Sequence, residues 1–227
     1  MKTNRVSFVV LALVVGALVI ALAGCTNPAG PSTNPTPTPS ATPTFLPDPI
    51  VIDAPVPANI SLDDVKALMA SAMGRPTDTG ARFSCREIVV ELHGLEMTDL
   101  LAEGIRAWGL NPDAPNPACG TLNITVTDQV VAETGGPDFK PDRVTVSVGR
   151  VYIHPQSVRF GEYLMIHGTG HAAYGFGHSM NEADVSGSFI MFGGASSITR
   201  LFPNNTERWL ADLIWRNNPG AKFNFHR

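Results

Sequence analysis

Three histidines lie in one short segment of the chain, and their spacing constrains the local fold. His167 and His171 are four residues apart, and His178 follows seven residues later. On an α-helix, residues i and i+4 share a face with Cβ atoms about 5–6 Å apart, so the first two imidazoles point to one place. Gly175 and Gly177 allow the backbone to leave the helix and fold back. The segment therefore predicts a helix, a turn and a third histidine that returns toward the first two.

Imidazole nitrogens that converge in this way form a metal site. Zinc binds histidine nitrogen at about 2.0–2.1 Å, and three protein ligands leave a fourth position for water, which is typical of catalytic zinc. We therefore expect a zinc ion held by His167, His171 and His178. The alternative is that the three histidines are ordinary polar residues of a surface loop without a metal.

The histidine segment resembles the zinc site of the metzincin peptidases, and that of the matrixins most closely. The family motif is H-E-x-x-H-x-x-G-x-x-H, followed by a loop and a methionine turn under the metal. His167 and His171 match the first two ligands of that motif. Gly175 precedes His178 by the family's spacing, and Met191 matches the methionine of the turn. The resemblance implies hydrolysis of extracellular protein or peptide by zinc-activated water.

One departure from the family motif concerns the general base. Gly168 stands where the family has the glutamate that takes a proton from the attacking water and passes it to the leaving amine. General-base catalysis contributes roughly 10²–10⁴-fold to such rates. Glu182 and Asp184 are substitutes that the following loop offers, although solvated loop charges are the simpler interpretation. Two functions therefore stay open: a zinc peptidase, or a non-catalytic binding or scaffold lipoprotein with the same fold.

A second departure concerns the length of the helix. Three residues separate His171 from Gly175, where the family has two. One added helical residue turns the end of the helix by about 100°. A π-bulge or a tighter last turn would have to absorb this rotation for His178 to reach the metal.

The N-terminal part of the chain predicts export. Lys2 and Arg5 precede an almost wholly apolar run, residues 6–23, and small residues come directly before Cys25. This order is typical of a secretory signal, and the Leu-Ala-Gly-Cys ending resembles the bacterial lipobox, in which the cysteine is lipidated. We therefore expect residues 1–24 to be a lipoprotein signal peptide and Cys25 to anchor the chain to the membrane, at the cell surface or elsewhere outside the cytoplasm. An uncleaved membrane anchor is the alternative.

A proline-rich stretch separates this signal from the remaining chain. Residues 26–57 hold 10 of the 19 prolines, which favours an extended, polyproline-like chain. We expect residues 25–57 to be a Pro/Thr-rich linker and residues 58–227 to form one domain. The formal net charge of −4 argues against nucleic acid as a partner, because phosphate binding requires a basic surface.

Two cysteines remain if Cys25 carries lipid. Cys85 and Cys119 allow one pairing, and an exported pair predicts a disulfide. Closing this loop would stabilise the fold by roughly 3–4 kcal/mol in the chain-entropy model. Two thiolate metal ligands are the weaker alternative, since neither cysteine belongs to a C-x-x-C pair.

Apolar periodicity outlines the elements of the domain. Alternating apolar and polar residues predict three strands, at about 87–92, 122–126 and 144–153. Apolar residues at helical spacing, with capping residues before them, predict four helices: after Ser61, after Thr98, over 157–174, and after Asn205 or Thr206. The fold class is therefore α+β. The matrixin resemblance further implies a single metzincin-like domain with a small mixed sheet, a zinc-site helix, a methionine turn and a closing C-terminal helix.

Overall fold

The computed structural model describes residues 50–70, 76–130, 133–178, 191 and 202–227. These residues belong to one compact unit. Within the described ranges, no helix is long and apolar enough to cross a bilayer. The predicted signal peptide, the lipidation site Cys25 and the loop acids Glu182 and Asp184 lie outside the described residues.

The described residues form an α+β architecture, as the sequence predicted. The helices are α1 (Leu62–Ala70), α2 (Asp99–Ala107), α3 (Tyr163–Tyr174) and α4 (Asn205–Arg216). The strands are β1 (Val51–Pro55), β2 (Arg82–Phe83), β3 (Val89–His93), β4 (Thr121–Val126), β5 (Glu133–Phe139), β6 (Thr145–Ile153) and β7 (Lys222–His226). The three predicted strands correspond to β3, β4 and β6, whereas β1, β2, β5 and β7 were not predicted. Of these four, β7 does alternate polar and apolar residues.

The larger sheet is mixed and has β6 near its centre. Strands β3, β4 and β6 run parallel in that order, and the short strand β2 also pairs with β6 in parallel. Strand β5 runs antiparallel to β6, with Glu133 opposite Ile153 at one end of the ladder. Most apolar side chains of β4 and β6 are fully buried, among them Leu122, Ile124 and Val151. The sheet therefore presents one apolar face, and α3 packs against it at β5 and β6.

A second, two-stranded sheet joins the two ends of the described chain. Strand β1 pairs in parallel with β7, from Val51 opposite Lys222 to Pro55 opposite His226. Strand β1 lies inside the segment predicted as linker, residues 25–57. The domain boundary predicted at residue 58 therefore falls after the first strand, because β1 is ordered by a partner at the far end of the sequence rather than by its own composition.

The helix starts follow capping chemistry. Thr98 caps α2 as predicted, but α4 is capped by Asn204 rather than by Asn205 or Thr206. The Asn204 side chain accepts a hydrogen bond from the Glu207 N–H at 2.9 Å, and the Glu207 carboxylate accepts from the Asn204 N–H at 2.7 Å. This reciprocal pair is a capping box.

The helix predicted over residues 157–174 is divided in two. A 3₁₀-helix covers Pro155–Phe160, and α3 begins at Tyr163. Between them, Gly161 has a φ of 67°, a left-handed conformation that a helix interior does not allow. The interruption changes the direction of the chain before the histidines, and α3 is therefore a separate, buried helix.

Cys85 and Cys119 are joined in a disulfide with an S–S distance of 1.99 Å. The bond links the segment before β3 to the segment before β4. Since both sulfurs are used in the disulfide, neither cysteine is a thiolate ligand.

Candidate metal centre

Helix α3 is enclosed on all sides. Each of its residues is buried, in contrast to a surface helix with one exposed face. It contacts β5 and β6 on one side and α2 on another. The approach to α2 is close enough that a Cβ on Gly104 would overlap the Ile166 side chain. His167 and His171 therefore lie in the interior of the domain, with 4% and 3% of their surface exposed.

The three predicted histidines converge. Their Nε2 atoms are separated by 2.9 Å (His167 to His171), 3.0 Å (His171 to His178) and 3.3 Å (His178 to His167). The circle through these three nitrogens has a radius of about 1.8 Å, so a point just off their plane lies at the zinc–nitrogen distance of about 2.0–2.1 Å from all of them. His178 is the exposed member and leaves the group open to solvent on its side. The three histidines could therefore hold one metal ion.

The ring of His171 is held in the orientation that a metal ligand needs. Its Nδ1 lies 2.6 Å from the carbonyl oxygen of Phe176. Burial lowers the pKa of His171 to about 4, so the ring is neutral near pH 7. A carbonyl oxygen only accepts hydrogen bonds, so Nδ1–H is the donor and Nε2 keeps its lone pair. Such a contact fixes both the tautomer and the ring plane, as it does for histidine ligands in general.

The added residue before Gly175 does not displace His178. Helix α3 stays α-helical through Tyr174, without a π-bulge, and Gly175 ends it with φ 64° and ψ 28°. Gly175 donates its N–H to the His171 carbonyl at 2.8 Å, and Gly177 donates to the Leu68 carbonyl at 2.8 Å. The left-handed glycine thus reverses the chain, and the contact with α1 sets where the returning segment lies.

Aromatic packing secures the end of the helix. Tyr174 is fully buried, and its ring stacks on that of Phe176 with centroids 5.0 Å apart. Its hydroxyl donates to the Trp108 carbonyl and accepts from the Trp215 indole N–H at 2.8 Å. The residue that lengthens the motif is therefore a core residue, which explains why the extra position is accommodated.

Met191, the residue of the predicted methionine turn, packs against α3. Its side chain is fully buried, and a Cβ on Gly170 would lie 2.5 Å from its sulfur. The same Cβ would lie 2.7 Å from the Trp108 ring. Glycine at position 170 therefore lets the methionine and the tryptophan reach the helix backbone. The Met191 N–H donates to Glu207 at 2.7 Å, and the other residues of the predicted turn lie outside the described part of the chain.

Glu133 adjoins the histidines, and sequence reasoning had not identified it. Its Oε2 lies 3.8 Å from His167 Nε2, and the side chain is 11% exposed. Its Oε1 is buried and has no hydrogen-bond partner among the described residues. Burial raises the pKa of Glu133 to about 7. At Gly135, strand β5 lies so close to β6 that a Cβ would overlap the Arg150 carbonyl oxygen. The pairing of these two strands brings Glu133 to the histidines.

Gly168 lies directly beside this glutamate. A Cβ at position 168 would be 2.8 Å from Glu133 Oε1 and 2.5 Å from a methyl group of Val151. Cβ atoms do not approach other heavy atoms that closely, so any other residue at this position would require the Val151 and Glu133 side chains to shift. The two glycines of the His-Gly-Thr-Gly-His segment thus serve close packing on opposite sides of α3.

No protein-family model, no curated protein and no solved structure matches this chain.

Proposed function

We propose that this chain is a zinc-binding, matrixin-like peptidase domain that hydrolyses peptide bonds outside the cytoplasm, where lipid on Cys25 anchors it to the membrane. The observation that carries the proposal is the convergence of the His167, His171 and His178 Nε2 atoms within 3.3 Å of one another. The supporting observations are the fixed tautomer of His171 and the burial of Met191 against the same helix.

Zinc suits this donor set better than harder cations do. Three neutral imidazoles offer nitrogen, which zinc prefers, whereas calcium and magnesium require oxygen ligands. Three protein ligands would leave zinc an open position, where it would act as a Lewis acid toward water and a carbonyl group. The resemblance of the histidine segment to the matrixins supports protein or peptide as the substrate class.

A second candidate is a non-catalytic zinc-binding lipoprotein that keeps the fold and binds a partner. Gly168, at the position of the family's general base, favours it. The two candidates share the metal and differ in turnover, so they are separated by activity rather than by metal content.

Metal content of the purified full chain tests the shared part of the proposal. We expect about one zinc per chain by mass spectrometry of the metal, and loss of at least nine-tenths of it in His171→Ala, because two remaining ligands bind zinc weakly. His93→Ala is the matched control, since His93 is exposed on β3. Absence of zinc from the wild-type chain, even after zinc is added back, would contradict the metal site.

Hydrolysis of a peptide library then separates the two candidates. A peptidase would cleave peptides, stop when a chelator removes the zinc and resume when zinc is restored. A zinc-loaded chain that cleaves nothing would favour the binding lipoprotein.

A further inference from the structure

We propose that Glu133 is the general base of the hydrolysis, in place of the glutamate that Gly168 replaces. This inference rests on the proposed function, since it assigns a residue to that same reaction. It is independent of the family motif, because Glu133 lies on β5, outside the histidine segment.

The position of the carboxylate beside the ligand set supports the assignment. Its Oε2 is 3.8 Å from His167 Nε2. The three histidines form a group whose ligand atoms all lie within 4.8 Å of one another, and Glu133 is not a member of it. At this distance one water molecule can contact both the carboxylate and the ligand set, which a general base requires.

The unpaired oxygen of Glu133 is the second observation. Its Oε1 is buried without a hydrogen-bond partner in the described part of the chain. A buried acceptor of this kind is unfavourable for folding, and a catalytic role is one of the reasons for which such a group persists. A reacting water would supply the missing hydrogen bond.

The packing at Gly168 is the third observation. A Cβ there would lie 2.8 Å from Glu133 Oε1, so any side chain at position 168 would require the Glu133 carboxylate to move from its present position. With glycine at position 168, the space beside the helix is open to the Glu133 carboxylate. One carboxylate thus replaces the other, reaching the same ligand cluster from the neighbouring strand instead of from the helix.

The reaction balances with water as the only co-substrate. The Glu133 carboxylate takes one proton from water as the water oxygen bonds to the carbonyl carbon of the peptide. The carbon–nitrogen bond then breaks, its electron pair goes to nitrogen, and Glu133 returns the proton to that nitrogen. The products are a carboxylic acid and an amine, and Glu133 is again a carboxylate.

The test compares Glu133→Gln with the wild-type chain and with Glu91→Gln, a matched change of an exposed glutamate on β3. We expect zinc content to be unchanged in both variants, and kcat to fall roughly 10²–10⁴-fold in Glu133→Gln alone. The urea midpoint of Glu133→Gln should equal or exceed the wild-type value, because a neutral amide replaces a poorly paired buried carboxylate. This last result does not depend on activity and shows that the variant is folded.

Chemical rescue distinguishes a base from a positioning residue. Formate should restore activity at least tenfold in Glu133→Ala, since a small carboxylate can enter the space that the side chain leaves. Retained turnover in Glu133→Gln, loss of its zinc, or loss of turnover without formate rescue would each overturn the assignment. A wild-type chain that binds zinc but cleaves no peptide would instead reject the proposed hydrolysis, and the role of Glu133 with it.

Discussion

Two buried glutamates of this molecule have opposite surroundings. Glu207, at the start of α4, is fully buried, and its two carboxylate oxygens accept the N–H groups of Met191 and Asn204, both at 2.7 Å. Glu133, on β5, is nearly as buried, yet its Oε1 has no partner in the described ranges. Desolvation of a carboxylate is offset when backbone donors satisfy it, and is not when they are missing. Glu207 therefore has the surroundings of a structural residue and Glu133 those of a reactive one.

The largest expected effect follows from removing the satisfied carboxylate. Glu207→Ala leaves the N–H groups of Met191 and Asn204 without their acceptor and removes half of a capping box. We expect the free energy of unfolding to fall by about 3–5 kcal/mol, measured by urea denaturation. Glu133→Gln, measured beside it, should not lower stability. Equal losses of unfolding free energy in the two variants would show that Glu207 and Glu133 do not differ in this way.

The pH dependence of stability reports on the burial of Glu133. Burial raises the pKa of Glu133 from 4.5 to about 7, so between these values the native state holds a proton that the unfolded state has released. Its contribution to stability is thus fully present below pH 4.5 and is lost as pH rises toward 7, by up to about 3 kcal/mol. His171 acts in the opposite direction. Its pKa is lowered by burial from 6.5 to about 4, so its contribution grows as pH rises from 4 to 6.5.

These two contributions oppose one another in the wild-type chain without metal. In Glu133→Gln, measured in the presence of a chelator, we expect the free energy of unfolding to rise with pH as His171 predicts, because the opposing contribution of Glu133 is gone. The stability of this variant should therefore gain on that of the wild-type chain as pH increases from 4.5 to 7, as followed by urea denaturation at each pH. Parallel pH curves for the two proteins would contradict the burial of Glu133.

A smaller effect is expected from filling the space beside Glu133. In Gly168→Ala, the new Cβ would meet Val151 and Glu133 at distances that force one of them to move. Overpacking of this kind destabilises by about 1–3 kcal/mol, partly offset by the better helix propensity of alanine. The loss that Gly168→Ala causes should be smaller in a Val151→Ala background than in the wild-type background, measured by thermal unfolding. An undiminished loss in the double variant would indicate that helix α3, rather than its contact with β6, limits this position.

The pairing of His167 with His171 could be predicted because it is local. The i, i+4 spacing sets His167 and His171 on one face of a helix, and a left-handed Gly175 returns the chain. The neutral, oriented ring of His171 could not be predicted, because it depends on a carbonyl five residues away and on burial by the sheet and α2.

The added helical residue illustrates where local rules are insufficient. Counted along the motif, it should rotate His178 away from the metal. Tyr174 is instead anchored by hydrogen bonds to Trp108 and Trp215, and Gly177 by α1, so long-range contacts determine where the turn ends. The start of α4 differs from the prediction because Asn204 caps it. The start of α3 differs because Gly161 has a left-handed conformation.

Local residue patterns therefore predict the short-range part of this protein: its α+β class, the Thr98 cap of α2 and the three histidines of one segment. The placement of His167 and His171 depends on contacts within one helix, whereas that of His178 also depends on the contact of Gly177 with α1. The tertiary structure alone decided that Glu133 lies beside His167 and that β1 pairs with β7, because strand pairing joins residues that are distant in sequence. Strand β5 contains two glycines and a proline and carries no periodic signal, so its glutamate could be placed only by the sheet.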